Sequence, residues 1–306
     1  MVASLALAAL VNADALVERA ERKPLGADRD RSLAIWHPVQ DIAHITQLHR
    51  IRQLGEWLVG DEDHGGEVPA TPTTRELVPV APPELRQPTA AAPLRIFVGG
   101  DSVVRDAGES LLRLAADDAL LTAALHYEIA TGLSRPDFFD WPGALVADMV
   151  EHEPEVAVIM FGGNDAQGII APDGTVHSDV TQPGWKVEYA RRVGDVMDSL
   201  RASDRLVIWI GQPPMRDRAF DRRIRVLNEV FEEQADDRSW IRYVDSGEVI
   251  GDDGRYVTRL PDGAGGTTDD LRQPDGIHLS RAGADRLARH ILGIIDREVA
   301  AAVAAQ

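Results

Sequence analysis

The chain has 306 residues, no cysteine, and a formal net charge of −18 from 32 Lys and Arg against 50 Asp and Glu. Its length fits one large domain with an appendage, or two domains, and 44% hydrophobic with 27% charged residues is typical of a folded globular protein. The lack of cysteine excludes disulfide scaffolds, thiolate-bound zinc, iron–sulfur clusters and thiol catalysis. The acidic balance, without a basic patch, argues against a nucleic-acid partner.

The first 60 residues are predicted to form a helical segment. Residues 2–11 are an apolar run too short to cross a bilayer, so they either begin an amphipathic helix reaching about Arg22 or form the outer end of a membrane anchor. Over residues 41–59 apolar side chains recur every three or four positions, which predicts a helix with one apolar face. Residues 61–93 are rich in proline and lack an apolar period, which predicts an extended linker.

From residue 94 to the end at 306, short apolar strands alternate with helical stretches. Strands are predicted over residues 94–98, 126–130, 156–161, 206–210 and 241–244, and helices over 106–124, 142–151, 185–202, 218–234 and 280–302. Such alternation needs crossover connections and predicts a parallel sheet with helices on both faces. The expected fold class is α/β, a three-layer α/β/α sandwich with a five-stranded, flavodoxin-like parallel sheet. Functional residues are expected directly after the strands.

The first strand is followed by Gly99-Gly100-Asp101-Ser102. A serine on a strand-to-helix turn exposes its hydroxyl at the sheet edge, and its own N–H lies at a helix start, where developing negative charge is favoured. The alternative is that Asp101 or Ser102 only caps the next helix, and this motif by itself favours that alternative.

Two further motifs stand at strand ends or in loops. Gly162-Gly163-Asn164-Asp165 follows the third strand, and the Asn164 amide offers an N–H donor for an oxyanion, although a plain Gly-Asn turn is the alternative. In Asp275-Gly276-Ile277-His278, the aspartate can accept the imidazole Nδ1 proton, which leaves Nε2 as a base for a serine elsewhere in the fold. A loop hydrogen bond or a helix entry is the alternative for this pair.

Together the three motifs resemble those of the SGNH hydrolases, the GDSL-like esterase and lipase superfamily, over about residues 94–300. The resemblance implies that Ser102 is the nucleophile, with Asp275 as the orienting acid and His278 as the base. It also implies an oxyanion hole built from the backbone N–H groups of Ser102 and Gly132 and the amide of Asn164. Gly132 matches the single glycine that the family carries after its second strand. Neither a metal nor an organic cofactor is implied.

The resemblance implies a serine esterase that works by two-step acyl transfer. Loops 166–184 and 245–274 are long and polar and are expected to frame the cleft; neither holds an apolar run suited to a fatty acyl chain. We therefore expect short acyl groups, such as acetyl, on a carbohydrate or other polar alcohol, so the partner is a small-molecule or glycan ester. The alternatives are an O-acyltransferase acting on a cell-envelope glycan, or a non-catalytic envelope scaffold or glycan-binding protein.

Residues 131–142 and 212–216 resemble a branch of the superfamily found in bacterial cell-envelope proteins, whose members often carry an N-terminal membrane helix. This resemblance implies that the apolar start and the proline-rich linker tether the domain outside the membrane; otherwise the expected location is the cytoplasm. For the aromatic residues at 138–141, ordinary core packing is an alternative interpretation.

Overall fold

A computed structural model of the chain describes residues 9–21, 23, 27–45, 82–262 and 266–305, and its contacts divide the chain into two units, Met1–Val78 and Pro79–Gln306. In the first unit, helices α1 (Ala13–Glu21) and α2 (Ala27–Ile45) pack against each other. Helix α2 starts well before the predicted helix over 41–59, because Asp28 and Asp30 favour a helix start in its first turn. Residues after 45 in that prediction lie outside the described residues.

Within the described part of the chain, no helix is both long enough and apolar enough to cross a bilayer. Most of the apolar run over residues 2–11, from which a membrane anchor is predicted, lies outside that part. The anchor and the location outside the membrane therefore stay predictions.

The second unit is built on a five-stranded parallel sheet with the strand order β2-β1-β3-β6-β7. Its strands are β1 (Leu94–Asp101), β2 (Leu121–Glu128), β3 (Val156–Met160), β6 (Leu206–Ile210) and β7 (Ile241–Val244), and β4 (Ile169–Ile170) pairs with β5 (Val176–His177) in a separate hairpin. The helices are α3 (Ser102–Ala116), α4 (Trp141–His152), α5 (Pro183–Ser199), α6 (Arg218–Asp236), α7 (Ser246–Ile250) and α8 (Arg281–Ala304). The order is flavodoxin-like, and the topological switch point lies between β1 and β3.

Alternate side chains of each central strand enter different cores, as the period of two in a strand requires. Phe97 of β1 packs in a core with residues of α4, α5 and α6, whereas Ile96 and Val98 pack in a second core with residues of α3 and α8. The helices therefore cover both faces of the sheet. The predicted three-layer α/β/α fold is confirmed.

Two predicted boundaries are wrong between β1 and α4. The helix predicted over 106–124 is α3, which starts at Ser102 because the Asp101 carboxylate accepts the Val103 N–H at 2.9 Å and caps it. The strand predicted over 126–130 is β2, which begins at Leu121 after a turn in which Asp118 accepts the Leu120 N–H at 2.9 Å. Since β2 is a half-exposed edge strand, it lacks the continuous apolar run of a buried strand.

Residues 82–93, which the composition assigns to the linker, pack against the sheet domain. The Glu84 N–H donates to the Ser203 carbonyl at 2.9 Å, and the Leu85 side chain is 2% exposed within the core that contains α3 and α8. Arg86 pairs with the buried carboxylate of Glu155 at 2.6 Å. The rest of the predicted linker, residues 61–81, lies outside the described residues.

We expect Leu85→Ala to lower the free energy of unfolding by about 2–5 kcal/mol, because the substitution leaves a cavity in a filled core. Chemical denaturation measures the change. The matched control is Val150→Ala on α4, where the side chain is 75% exposed and the expected change is within about 0.5 kcal/mol. Equal stability of the Leu85 and Val150 variants would contradict the packing of the Leu85 side chain in the core.

Candidate active site

The nucleophile predicted at Ser102 is the first residue of α3, directly after β1. Strands β1 and β3 approach closely here: a Cβ on Gly100 would lie 2.0 Å from the Met160 carbonyl oxygen, and its φ of 149° disfavours any other residue. Ser102 therefore lies at the switch point between β1 and β3, where sheets of this order bind ligands.

The side chain of Asp101 joins the start of α3 to the loop after β3. It is fully buried, and it accepts backbone N–H groups from Val103 at 2.9 Å, Gly162 at 3.0 Å and Gly163 at 2.9 Å. Burial raises the pKa of Asp101 to about 7, and the charge of Asp165 adds to the shift, while the three N–H donors oppose it. The position of the Asn164 loop relative to Ser102 is thus set by one carboxylate.

The structure brings the three predicted triad residues into contact. His278 Nε2 lies 3.2 Å from Ser102 Oγ, across 176 positions of sequence, and His278 Nδ1 lies 2.7 Å from Asp275 Oδ2. The other oxygen, Asp275 Oδ1, accepts the N–H groups of Ile277 at 2.8 Å and His278 at 3.1 Å. Partial burial acts to raise the pKa of Asp275, but these hydrogen bonds outweigh it and lower the pKa to about 2. The carboxylate is therefore ionised at neutral pH.

Two polar residues anchor the loop that carries Asp275 and His278. Gln273 Nε2 donates to Asp106 Oδ2 of α3 at 3.0 Å, so the base loop is bonded to the helix that begins with Ser102. The buried Arg272 donates to the Ile277 carbonyl at 2.8 Å and to the Pro214 carbonyl at 2.7 Å. Although burial lowers the pKa of Arg272 to about 10, it remains charged at neutral pH.

The two other residues predicted for the oxyanion hole lie on neighbouring loops that are bonded together. Asn164 is half-buried, and its Nδ2 donates to the Thr131 carbonyl at 3.0 Å. Gly132, the next residue, is buried so close to Asp165 that a Cβ there would lie 2.3 Å from Asp165 Oδ1. Gly132 and Asn164 are thus brought to one place.

Sequence reasoning missed a second histidine–aspartate pair. His126 Nδ1 on β2 lies 2.8 Å from Asp148 Oδ2 on α4, and this hydrogen bond raises the pKa of His126 although burial opposes the shift. Because the predicted strand started at residue 126 rather than 121, nothing in the sequence placed this side chain opposite α4. The His126 ring packs against Trp141, which is fully buried, so core packing is the correct interpretation of that tryptophan.

In the described ranges, no group of three or more His, Asp or Glu side chains is arranged to hold a metal ion.

The comparison with curated proteins gave no match. Residues 95–293, however, match the family model described as protein of unknown function DUF459. The chain belongs to the DUF459 family. The three motifs that carry the resemblance to the SGNH hydrolases, at residues 100–102, 162–165 and 275–278, all lie within the matched residues.

Solved structures similar to this DUF459 protein include hydrolases of bacteria. A GDSL-like lipase from Bacteroides thetaiotaomicron matches at 15% identity and a TM-score of 0.46, with 66% of this chain and 88% of that chain covered. A family 3 carbohydrate esterase from Clostridium thermocellum matches at 16% and 0.42, covering 68% and 98%. An acetylxylan esterase from Geobacillus stearothermophilus matches at 14% and 0.44, covering 67% and 94%. Matches this distant transfer no substrate or activity to this chain.

The buried carboxyl of Asp101 predicts a pH dependence of stability. Because its folded pKa of about 7 lies above the ordinary value of 3.8 for an aspartate, the folded state holds this proton more tightly than the unfolded chain. The resulting stabilisation is present below about pH 4 and is lost as the pH rises towards 7. Urea denaturation gives the unfolding free energy of the wild type and of Asp101→Asn at each pH. We expect the value for the wild type minus the value for the variant to be larger at pH 5.5 than at pH 8.

The control for this measurement is Asp173→Asn, because Asp173 is exposed and a hydrogen bond from Thr175 lowers its pKa, so it titrates below the tested window. A difference between wild type and Asp101→Asn that stays constant from pH 5.5 to 8 would contradict the raised pKa.

Proposed function

We propose that this DUF459 domain is a serine esterase of the SGNH type that hydrolyses short-chain acyl esters, chiefly acetyl esters, of a carbohydrate or other polar alcohol. The observation that carries the proposal is the continuous chain of contacts from Ser102 Oγ through the His278 ring to Asp275. A hydroxyl is a weak nucleophile unless an adjacent base removes its proton, and a base needs a third group to fix its tautomer.

In the proposed first step, His278 Nε2 takes the hydroxyl proton as Ser102 Oγ attacks the ester carbonyl carbon. Asp275 accepts the Nδ1 proton, which leaves Nε2 free to act as the base, and its charge stabilises the imidazolium that forms. The imidazolium then protonates the leaving alcohol, and the acyl group stays on Ser102. In the second step His278 activates a water, which releases the acid and restores the serine.

The negative charge that develops on the carbonyl oxygen needs preorganised N–H donors. The proposed donors are the backbone N–H groups of Ser102 and Gly132 and the side-chain amide of Asn164. Two observations support the assignment: Ser102 stands at the N-terminus of α3, and Asn164 is bonded to Thr131, the residue before Gly132. The positive end of the helix dipole, at the N-terminus of α3, also stabilises negative charge on that oxygen.

The preference for a short acyl group rests on the loops expected near the site. Among the described residues, the exposed large apolar side chains of loop 166–184 are Ile170 and Val176. Val187, on the neighbouring helix α5, is also exposed. They are scattered singly in the sequence, whereas an acyl chain of many carbons needs a continuous apolar wall. Ester panels with acetyl, butyryl and longer p-nitrophenyl substrates, followed by acetylated glycans, test this preference. Faster hydrolysis of the long-chain esters would overturn it.

We expect a fluorophosphonate probe to label the wild type at Ser102 and to leave Ser102→Ala unlabelled, because the probe reacts only with an activated serine. The matched control is Ser199→Ala at the end of α5, which should label as the wild type does. Absence of labelling in folded wild-type protein would reject the esterase. Transfer of the acyl group to an acceptor glycan in preference to water would reassign the domain as an acyltransferase.

We expect His278→Ala to lose almost all turnover of p-nitrophenyl acetate with little change in fold, since removal of a triad member leaves only about 10³ to 10⁴-fold catalysis over water. Initial rates measure the loss, and circular dichroism checks the fold. His290→Ala, at an exposed position of α8, is the control and should keep the wild-type rate. A His278→Ala rate within about tenfold of the wild type would exclude histidine as the base.

A further inference from the structure

Asp165 is a buried ionisable group next to the site that the mechanism above does not use. Asp165 follows Asn164 directly, is fully buried, and accepts a hydrogen bond from the hydroxyl of the equally buried Tyr189. We propose that Asp165 is a positioning residue that, together with Tyr189, holds the two proposed oxyanion donors Gly132 and Asn164 in register. The inference rests on the proposed function and deepens it.

The two carboxylate oxygens of Asp165 have separate partners. Oδ1 accepts the backbone N–H of Ser134 at 2.6 Å, and Oδ2 accepts the Tyr189 hydroxyl at 2.8 Å. Ser134 stands two residues after Gly132, on the loop after β2, while Asp165 itself is on the loop after β3. One side chain therefore ties both loops together and fixes them to α5.

The backbone of Gly132 lies directly against this carboxylate. The position that a Cβ of Gly132 would take is 2.3 Å from Asp165 Oδ1 and 2.8 Å from its carboxyl carbon, so only glycine fits. The hydrogen bond from Asn164 to Thr131 at 3.0 Å adds a second link between the same two loops. Arg192 of α5 also binds the Gly132 loop, because it donates to the carbonyls of Leu133 and Ser134 at 3.1 and 2.9 Å. A shift of Asp165 would thus move Gly132 and Asn164 together.

The electrostatics of the pair agree with a positioning role. Burial raises the pKa of Asp165, and burial together with the Asp165 charge raises that of Tyr189, so the tyrosine keeps its proton and acts as the donor. A buried acid costs folding free energy that an apolar side chain of similar volume would not. The carboxylate supplies directional contacts that an apolar side chain lacks, and these contacts offset that cost.

Tyr189→Phe removes one hydrogen bond and keeps the ring, which stacks on Trp185 with centroids 4.7 Å apart. Because oxyanion donors act mainly in the transition state, we expect kcat for p-nitrophenyl acetate to fall about tenfold while KM stays within about twofold. Tyr243→Phe is the matched control. Tyr243 is half-buried on β7, the edge strand at the other end of the sheet from β2. Removal of its hydroxyl should leave kcat unchanged.

Asp165 itself is tested by a pair of substitutions. Asp165→Asn keeps an acceptor for the Ser134 N–H, and its amide can donate to the Tyr189 hydroxyl oxygen; Asp165→Ala keeps neither contact. We expect kcat to fall about 10²-fold in Asp165→Ala and to recover most of that loss in Asp165→Asn. The affinity for methylboronic acid, whose tetrahedral adduct on Ser102 places an oxygen in the hole, should fall in parallel with kcat.

The outcomes separate this inference from the esterase proposal. A wild type that neither hydrolyses p-nitrophenyl acetate nor reacts with a fluorophosphonate overturns both. An active wild type whose kcat and boronate affinity are unchanged in Tyr189→Phe and Asp165→Ala, or whose losses equal the unfolded fraction measured by circular dichroism, overturns only the positioning role. If Asp165→Ala does not fold, the Tyr189→Phe measurement decides.

Discussion

The site of this protein depends on how backbone N–H groups are satisfied where a parallel sheet ends. Beyond the last residues of β1, β2 and β3 there is no strand partner, and a buried N–H without an acceptor costs about 1–3 kcal/mol. Buried carboxylates supply the missing acceptors: Asp101 receives three N–H groups and Asp165 receives the N–H of Ser134. The loops that these acids bind are the ones that carry Ser102, Gly132 and Asn164.

The pKa values of three aspartates at this edge of the sheet consequently shift in different directions. Asp101 and Asp165 are enclosed, and burial is the main cause of their raised pKa values. Asp275 is only partly buried, and hydrogen bonds, chiefly from the Ile277 N–H and the His278 ring, outweigh that burial and lower its pKa. The same residue type thus serves as a fixed internal acceptor in one environment and as a permanent negative charge beside a histidine in another. Burial, not residue identity, separates these roles.

Most of the fold could be predicted from the sequence because its central strands are buried on both faces. Every residue of β3 and β6 is apolar and buried, β1 is buried throughout except at Arg95, and the motifs that follow β1 and β3 mark the sheet edge. β2 was misplaced because an edge strand is only half-buried, and its apolar signal is weak. Leu85 could not be assigned to a core either, since a single leucine in a proline-rich stretch has no periodicity.

Within the site, Ser102 and the Asp275–His278 pair stand in compact motifs, and from these motifs the sequence was sufficient to predict that the three side chains lie together. It was not sufficient for the partners of the other buried and half-buried polar side chains. The partner of Asp165 is a tyrosine on α5, and that of His126 is an aspartate on α4, and no spacing in the chain indicates either pairing. Such contacts follow from how the helices lie on the sheet, which only the three-dimensional structure contains.

The contact between Ser102 and His278 joins residues 176 positions apart, at the two ends of the sheet domain. Ser102 leaves the ribosome early, whereas its histidine is made only shortly before the last helix. A nascent chain that ends before residue 278 therefore has the serine with its cap and its helix but no base. The loop that carries His278 leads directly into α8, and α8 packs against α3, so one helix contact brings the base to the helix that begins with the serine.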